Sequence, residues 1–558
     1  MEYNILVGGA AGQGIETLTG ALERIIKTNG FYLFSNKDYM SRVRGGHNFT
    51  QIRLSDRPVT GHWPELDIIL AFDDETLNLH SNRLKEGGYI ICDEKFSGEK
   101  SGFLGLPLER TAKELGNSRV AGTIGMGAVI KLLGLSTERL EQVFQKEYKE
   151  NIREINIKAF HEGYKMIKSS FDCGSAKEDR HILINGNQAV ALGALAGGVA
   201  FYSGYPMTPS TEIMTYLSKK QAAAGIVVEQ AEDEIAAINM AIGASFAGVR
   251  ALTATSGGGF SLMTEALGLA GMTETPLVVI NSMRPGPATG FPTRTEQGDL
   301  GFIVSASHGE IPRMVIALKN PEDGFYQIQR ALNLADKYQL LVIVLADQFF
   351  GDSSRTCPPF DFNNLKIERH LRESLPEDHQ YHMRYRLTDN GISPRIIPGR
   401  FPGVTVLADS DEHDERGNIT ESAEMRISMM EKRMKKLKLL RDELLEPEYL
   451  GVDNPRYLCI AWGSTHGPVQ EAIEMLNQEG IAIGALVFGD VWPLPVKNLK
   501  KYAAQTEKII NVEQNYLGQM ARLIRQETSI TCTTSILKYD GRPFSSYEIV
   551  QRLKEEVL

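Results

Sequence analysis

Short apolar runs that open into glycine-bearing turns and then into amphipathic stretches recur along this chain. YNILVGG precedes GIETLTGALERIIKTNG near the start, LDIILAF and GGYIICD follow, and RYLCIAWG precedes STHGPVQEAIEMLNQEG near the end. A run that is apolar at every position has no face to give to water. Its alternation with helical patterns predicts parallel strands joined by crossover helices, an α/β fold. At 558 residues the chain exceeds one core, so it is expected to be multidomain.

The first α/β segment covers 1–172, and the polar stretch SSFDCGSAKEDRH at 169–181 reads as a linker. A second segment, 182–360, offers strands at HILING, GVAFYSGYP, IVVEQ, VRALTATSGG, PLVVINSM and QLLVIVLAD. Residues 361–450 are rich in charge, proline and histidine and end in a basic helix. From 451 to 558 the strand–helix alternation returns. No repeat of roughly 20–50 residues recurs, so these segments are expected as separate domains.

Composition narrows the function. The formal charge of −10 argues against nucleic-acid binding, which calls for a basic surface. Apolar runs stay well short of the roughly 20 residues of a membrane span, and the N-terminal stretch reads as a strand and not as a signal peptide. No membrane partner and a cytoplasmic location are expected. The cysteines, Cys92, Cys173, Cys357, Cys459 and Cys532, form no C-x-x-C pair, so no metal or iron–sulfur site is expected in this chain.

Several turns can carry chemistry. In GGAAGQGIE, Gly9, Gly12 and Gly14 follow G-x-x-G-x-G and not the dinucleotide fingerprint, leaving a tight turn or an anion site open. SRVRGGHNF adds two arginines, Arg44 among them, which together with that turn leaves a phosphate-bearing ligand open beside the default of a solvated basic loop. In GYPMTPSTEI, Ser210 or Thr211 can cap the helix beginning near Glu212, while Thr208, held between two prolines, should project from the C-terminal edge of a parallel sheet, where ligands of such sheets bind. VVEQAEDEIAAINMAIGASFAG sets a carboxylate cluster before a helix expected to be buried on most sides, and a carboxylate at its start would be partly desolvated and suited to sharing a proton. Arg284 and Arg294 lie in a Pro/Gly-stiffened loop fit to clamp a carboxylate, or are ordinary surface arginines. DSDEHDERG lacks EF-hand spacing and reads as a solvated acidic loop. Ser464 and His466 of WGSTHG show no acid partner that would make a hydrolase.

Together, GYPMTPSTE, EQAEDEIAAINMAIGASFAGVRALTATSGGGFSLMTEA, RPGPATGFPTRTEQGDL, EHDERG and VEQNYLGQMARLIR resemble the alpha subunit of thiamine-diphosphate-dependent 2-oxoacid:ferredoxin oxidoreductases. GGAAGQGIETL and SRVRGGHNFTQIRLS are similar to that family's gamma domain, fused here at the N-terminus. The resemblance implies a Rossmann-like gamma domain, a pyrimidine-binding thiamine diphosphate domain and a transketolase C-terminal-like domain. It implies conversion of a 2-oxoacid, coenzyme A and oxidised ferredoxin to acyl-CoA, CO2 and reduced ferredoxin. The residues 361–450 resemble the 2-oxoglutarate type, with pyruvate, branched-chain and aryl 2-oxoacids as alternatives.

By that resemblance a glutamate hydrogen-bonds the cofactor's aminopyrimidine. Glu234 is matched to the role through Gly243 and Gly248 behind it, with Glu232 and then Glu229 in reserve. Thr208 is expected to touch the substrate and Arg284, or Arg294, to pair with its carboxylate. The Gly9, Gly12, Gly14 and Arg44 loops are candidates for coenzyme A. The family's diphosphate and Mg2+ motif and its cysteine clusters are absent, so a beta subunit is expected to supply the Mg2+ seat and the [4Fe-4S] cluster, in an (αβ)2 assembly serving ferredoxin. The other readings are an NAD-dependent dehydrogenase built on the N-terminal turn, disfavoured by glycine spacing, and a scaffold subunit without chemistry, disfavoured by Thr208, Glu234 and Arg284.

Overall fold

The computed structural model describes residues 1–41, 45–96, 102–168, 171–174, 180–375 and 382–558. Arg44 lies outside the described residues. The chain forms two compact units: Met1–Asn185 with Asp352–Pro359 and Ser545–Glu548, and Gly186–Gly351 with Phe360–Phe544 and Ile549–Leu558.

The first unit is built on an eight-stranded sheet. Its central strand, Glu2–Ala10, fully buries Ile5, Leu6 and Val7 and runs parallel to Leu66–Ala71. Leu84–Asp93 and Phe103–Leu106 continue that parallel half. The other half differs from the parallel expectation: His47–Ser55 and Tyr32–Asp38 form an antiparallel pair beside the central strand. The connection 39–46 is too short for a parallel crossover, which takes a dozen or more residues. Ser354–Cys357 and Ile182–Asn185 then add antiparallel strands outside Tyr32–Asp38. Both ends of the segment expected as a second domain thus belong to the first unit's sheet. Edge strands need a partner for their open N–H and C=O groups, and local sequence does not say which sheet supplies it.

The second unit holds two sheets. The seven-stranded one runs Asp490–Trp492, Arg313–Ala317, Leu341–Asp347, Leu277–Met283, Ala251–Thr255, Phe201–Gly204, Val227–Gln230, and all of it is parallel except the first strand. In the five-stranded sheet Glu448–Gly451, Ile483–Phe488, Tyr457–Trp462, Lys508–Glu513 and Thr534–Leu537 follow one another, with only Glu448–Gly451 antiparallel. The sheets are not insulated domains. Trp462, Leu486 and Phe488 from one pack in the same hydrophobic cluster as Val279, Val315 and Leu341 from the other. Asp490–Trp492 leaves the smaller sheet's chain to pair with the larger.

Among the described residues, 361–422 carries no helix and no named strand, and the basic helix Ala423–Glu443 follows. That helix buries three of its charges: Lys432 and Lys436 both meet Glu274, and Arg433 pairs with Glu412 at 2.8 Å. Burial opposes the charge on Glu274, yet Lys432, Lys436 and Arg384 hold its carboxyl well below the usual carboxylate range. The acidic loop expected at 409–417 is only partly solvated. Its Glu412 is spent on Arg426 and Arg433, and His413 is buried against the Tyr385 ring, 4.0 Å between centroids. Among the described residues no helix is long and apolar enough to cross a membrane.

Candidate active site

The C-terminal edge of the seven-stranded sheet gathers the chemistry-bearing turns of the second unit. Strand Phe201–Gly204 ends in the turn holding Thr208, and the next strand, Val227–Gln230, ends before Asp233. Ala231 N donates to Gly204 O at 3.0 Å, and the Ser203 hydroxyl donates to Ala237 O at 2.6 Å. These bonds fix the Thr208 turn against the start of helix Glu234–Phe246. Asn187 adds a bond from Nδ2 to Pro209 O at 3.1 Å.

Helix Glu234–Phe246 is capped by Asp233, whose carboxylate accepts from Ala236 N at 2.7 Å. With the cap filled by its neighbour, Glu234 is free of that duty and turns inward, 3% exposed. Glu232 and Glu229 are exposed. The Oε1 atom of Glu234 is buried and has no hydrogen-bond partner among the described residues. A buried acceptor left unpaired costs about 1–3 kcal/mol and calls for an explanation. Space around it is kept by Gly259, where an added Cβ would collide with both the Glu234 carboxylate and Thr255 Oγ1.

Further buried polar atoms without partners among the described residues lie on the adjoining strands and turn: Thr253 Oγ1, Ser256 Oγ, Asn281 Oδ1 and Ser282 Oγ. Thr255 and Asn281 stand opposite each other in register. Asn281 Nδ2 donates to Asp299 at 2.9 Å, and a Cβ at Gly257 would lie 2.5 Å from the Asp299 carboxylate. Burial raises the Asp299 carboxyl, against the pull of Asn281 and Arg284. Burial and then Asp299 push Glu296 up to about 7. The Arg284 guanidinium, lowered by burial, donates from Nη1 to Thr208 O at 2.8 Å.

The structure thus brings Thr208 and Arg284 together, at the same sheet edge as the buried Glu234. Asn281, Ser256, Glu296 and Asp299 were missed in sequence; the signals were TSGGG, VVINSM and RTEQGDL, which do not say which side chains meet at the site. Two local expectations change. Ser210 takes helical φ/ψ, and its hydroxyl donates back to Met207 O at 2.8 Å instead of capping helix Thr211–Ala224. Helix Glu234–Phe246 is not buried on most sides, because Ile235 and Met240 are exposed. Ser464 donates to the buried Asp347 and not to His466.

In the first unit, Gly12 and Gly14 have φ of 95° and 75°, with open space where a Cβ would sit, and Gly14 precedes helix Ile15–Thr28. Gln13 Oε1 accepts from Ala10 N at 2.8 Å and takes the space a Gly9 side chain would need.

A parallel sheet whose C-terminal edge holds an orphaned buried carboxylate in a glycine-cleared space is the layout of a cofactor-dependent α/β enzyme. Residues 192–432 match the family described as pyruvate flavodoxin/ferredoxin oxidoreductase, thiamine diP-binding. Residues 4–166 match pyruvate ferredoxin/flavodoxin oxidoreductase, and 456–549 match pyruvate:ferredoxin oxidoreductase core domain II. A 2-oxoacid:ferredoxin oxidoreductase subunit alpha of Sulfolobus sp. is 34% identical over 99% of this chain and 96% of its own. The 2-oxoglutarate synthase subunit KorA of Methanothermobacter marburgensis is 32% identical over 66% of this chain and 97% of its own. The solved 2-oxoglutarate:ferredoxin oxidoreductase of Magnetococcus marinus, with 2-oxoglutarate, coenzyme A and succinyl-CoA bound, is similar over 100% of both chains, with a TM-score of 0.92 and 33% identity. This chain belongs to the 2-oxoacid:ferredoxin oxidoreductase family, as an alpha-type subunit of a thiamine-diphosphate enzyme.

Proposed function

We propose that this chain is the pyrimidine-holding subunit of an enzyme that converts 2-oxoglutarate and coenzyme A to succinyl-CoA and CO2 while reducing ferredoxin. The observation that carries the reading is the buried, unpartnered Oε1 of Glu234. The residues fit the aminopyrimidine end of thiamine diphosphate: an acceptor in a low-dielectric seat suits a ring nitrogen that carries a proton, and Gly259 keeps the approach clear. When bound, that cofactor supplies the nucleophilic carbon and the electron sink for decarboxylation. Glu234 holds a proton at the pyrimidine ring, Thr208 orients the substrate's 2-oxo or carboxylate group, and Arg284 pairs with a carboxylate of the substrate. Arg284 also fixes the Thr208 carbonyl, so the two act as one preorganised contact. Glu232 is exposed in this chain, and this reading gives the role to Glu234.

The preference for 2-oxoglutarate is supported by the ligands of the Magnetococcus relative and the name of the Methanothermobacter one. Exposed Ile235 and Met240 on the helix that Glu234 opens, with Val227 and Leu262, offer an apolar surface for a beta-type subunit. That subunit would carry the Mg2+ and diphosphate seat and the [4Fe-4S] cluster, in an (αβ)2 assembly. The open Gly12 and Gly14 turn, at the start of helix Ile15–Thr28, suits a phosphate of coenzyme A.

The test is reduction of a viologen dye by this chain, alone and co-expressed with the beta chain, with thiamine diphosphate, Mg2+, coenzyme A and a panel of 2-oxoacids. Activity confined to the pair and greatest with 2-oxoglutarate is the expected result. A pair that reduces dye with another 2-oxoacid corrects the substrate. A pair that binds no thiamine diphosphate and reduces nothing returns the chain to a scaffold role.

A further inference from the structure

The loop that leaves strand Leu277–Met283 at Arg284 and ends at Asp299 is pinned near its far end by the smaller sheet. Gln297 is fully buried, and each of its four polar groups is used. Its N–H donates to Gln514 O at 2.7 Å, and its Oε1 accepts from Gln514 N at 3.0 Å. Its Nε2 donates to Trp462 O at 2.8 Å, and its carbonyl accepts from Asn515 Nδ2 at 3.1 Å. Gln519 extends the contact, donating to Gly298 O at 2.7 Å and accepting from Gly301 N at 2.8 Å. Thr295 N donates to Gly541 O at 3.3 Å.

The anchoring side is itself rigid. Glu513 is fully buried and accepts from Met520 N at 2.9 Å, Ala521 N at 3.2 Å, Trp462 Nε1 at 3.1 Å and Asn515 Nδ2 at 2.7 Å. Gln514 Oε1 accepts from Phe544 N at 3.0 Å. The Glu513-Gln514-Asn515 turn is therefore a fixed template to which the loop is joined by one backbone bond and the side-chain bonds of Gln297 and Asn515. The loop's two ends matter at the site: Arg284 holds Thr208, and Asp299 meets Asn281. An irregular segment of this length keeps such ends in register only if its middle is held, because each unfixed backbone residue has conformational freedom to lose.

We propose that Gln297 is a positioning residue for substrate recognition, through which the Glu513-Gln514-Asn515 turn of the smaller sheet holds the 284–299 loop in its substrate-binding form. The proposal rests on the reading of Arg284 and Thr208 as substrate contacts. It gives the C-terminal sheet, which contributes none of the proposed catalytic groups, a direct part in the affinity for the 2-oxoacid.

The experiment uses the full chain assembled with its beta subunit, as wild type and with Gln297→Met and Gln519→Ala. Steady-state kinetics with the 2-oxoacid are read beside hydrogen exchange of the backbone amides of 290–301. Gln519 is only half-buried, so its replacement should leave folding intact. For Gln297→Met the KM should rise about tenfold or more with kcat nearly unchanged, the pattern of lost binding that is uniform between ground and transition states. Exchange should quicken over 290–301 and not in strands Leu277–Met283 and Leu341–Asp347, and Gln519→Ala should do the same in smaller measure. Unchanged KM in both variants overturns the proposal. So does a fall in kcat together with faster exchange throughout the strands, which is what a purely structural residue gives. If the wild-type assembly turns over no 2-oxoacid, it is the functional reading that fails; exchange then judges the clamp alone, and an unloosened loop overturns it.

Discussion

Arg284 donates from Nη1 to the carbonyl oxygen of Thr208 across 2.8 Å, joining the end of strand Leu277–Met283 to the turn after strand Phe201–Gly204. A planar guanidinium can hold that carbonyl and still offer donors to a carboxylate, which an ammonium on a flexible stem does less well. Arg284→Lys should therefore raise the KM for the 2-oxoacid by about 10- to 100-fold, the effect of losing one or two charge-assisted hydrogen bonds. Thr208→Val, which keeps the carbonyl and removes the hydroxyl, should raise it with no change in thermal midpoint. Wild-type kinetics in both variants would remove this pair from recognition.

Replacing Glu234 by glutamine preserves shape and removes the acid. Turnover should fall by about 10²- to 10⁴-fold, the usual size of a general acid–base contribution, while the melting temperature holds. Gly259→Ala should act on the same point by pushing a methyl into the carboxylate, weakening thiamine diphosphate binding measured by equilibrium dialysis. A fully active Glu234→Gln assembly would sink the assigned role.

The Glu296 carboxyl, pushed up to about 7 by burial and by Asp299, lies on the proposed substrate loop. It is neutral below that pH and anionic above it, so a 2-oxoacid anion meets growing repulsion as pH rises through 7. The KM should climb between about pH 6 and 8, and Glu296→Gln should flatten the profile. A KM that rises equally in the variant assigns the titration to another group.

Asp347 is fully buried, and burial lifts its carboxyl from the usual 3.8 to about 6, against bonds from Ser464 and Phe350 N. The folded chain therefore binds this proton more readily than the unfolded chain. Stability from this group is fully present below 3.8 and is lost as pH rises to 6 and beyond, by about 3 kcal/mol. Asp347→Asn should match wild type near pH 4 and melt higher near pH 7. A difference that does not depend on pH would refute the assignment.

Glu274 is shared by Lys432 and Lys436 at full burial. Glu274→Gln leaves two ammonium groups facing each other without an anion, and loss of one partner from such a cluster costs about 3–5 kcal/mol. Chemical denaturation of the full chain should show the loss at neutral pH. A change within error would mean that water or a shift in lysine protonation relieves the cluster.

The α/β class and most of the strands were legible in sequence because they rest on local rules, whereas the roles proposed for Glu234, Thr208 and Arg284 come from the family resemblance. Apolar strands, glycine turns and carboxylates opening a helix repeat within a few residues of one another. Tertiary structure alone decided which of three nearby glutamates is buried, since Asp233 takes the capping role and turns Glu234 inward. It sent Ile182–Asn185 and Ser354–Cys357 to the first unit's sheet, and it fused the expected pyrimidine-binding and C-terminal domains through one hydrophobic cluster. It made the basic helix an internal strut and paired Gln297 with Gln514, partners more than two hundred positions apart. Each of these depends on which surfaces meet after the chain has folded back on itself, and the periodicity of a single strand or helix carries no information about its distant neighbour.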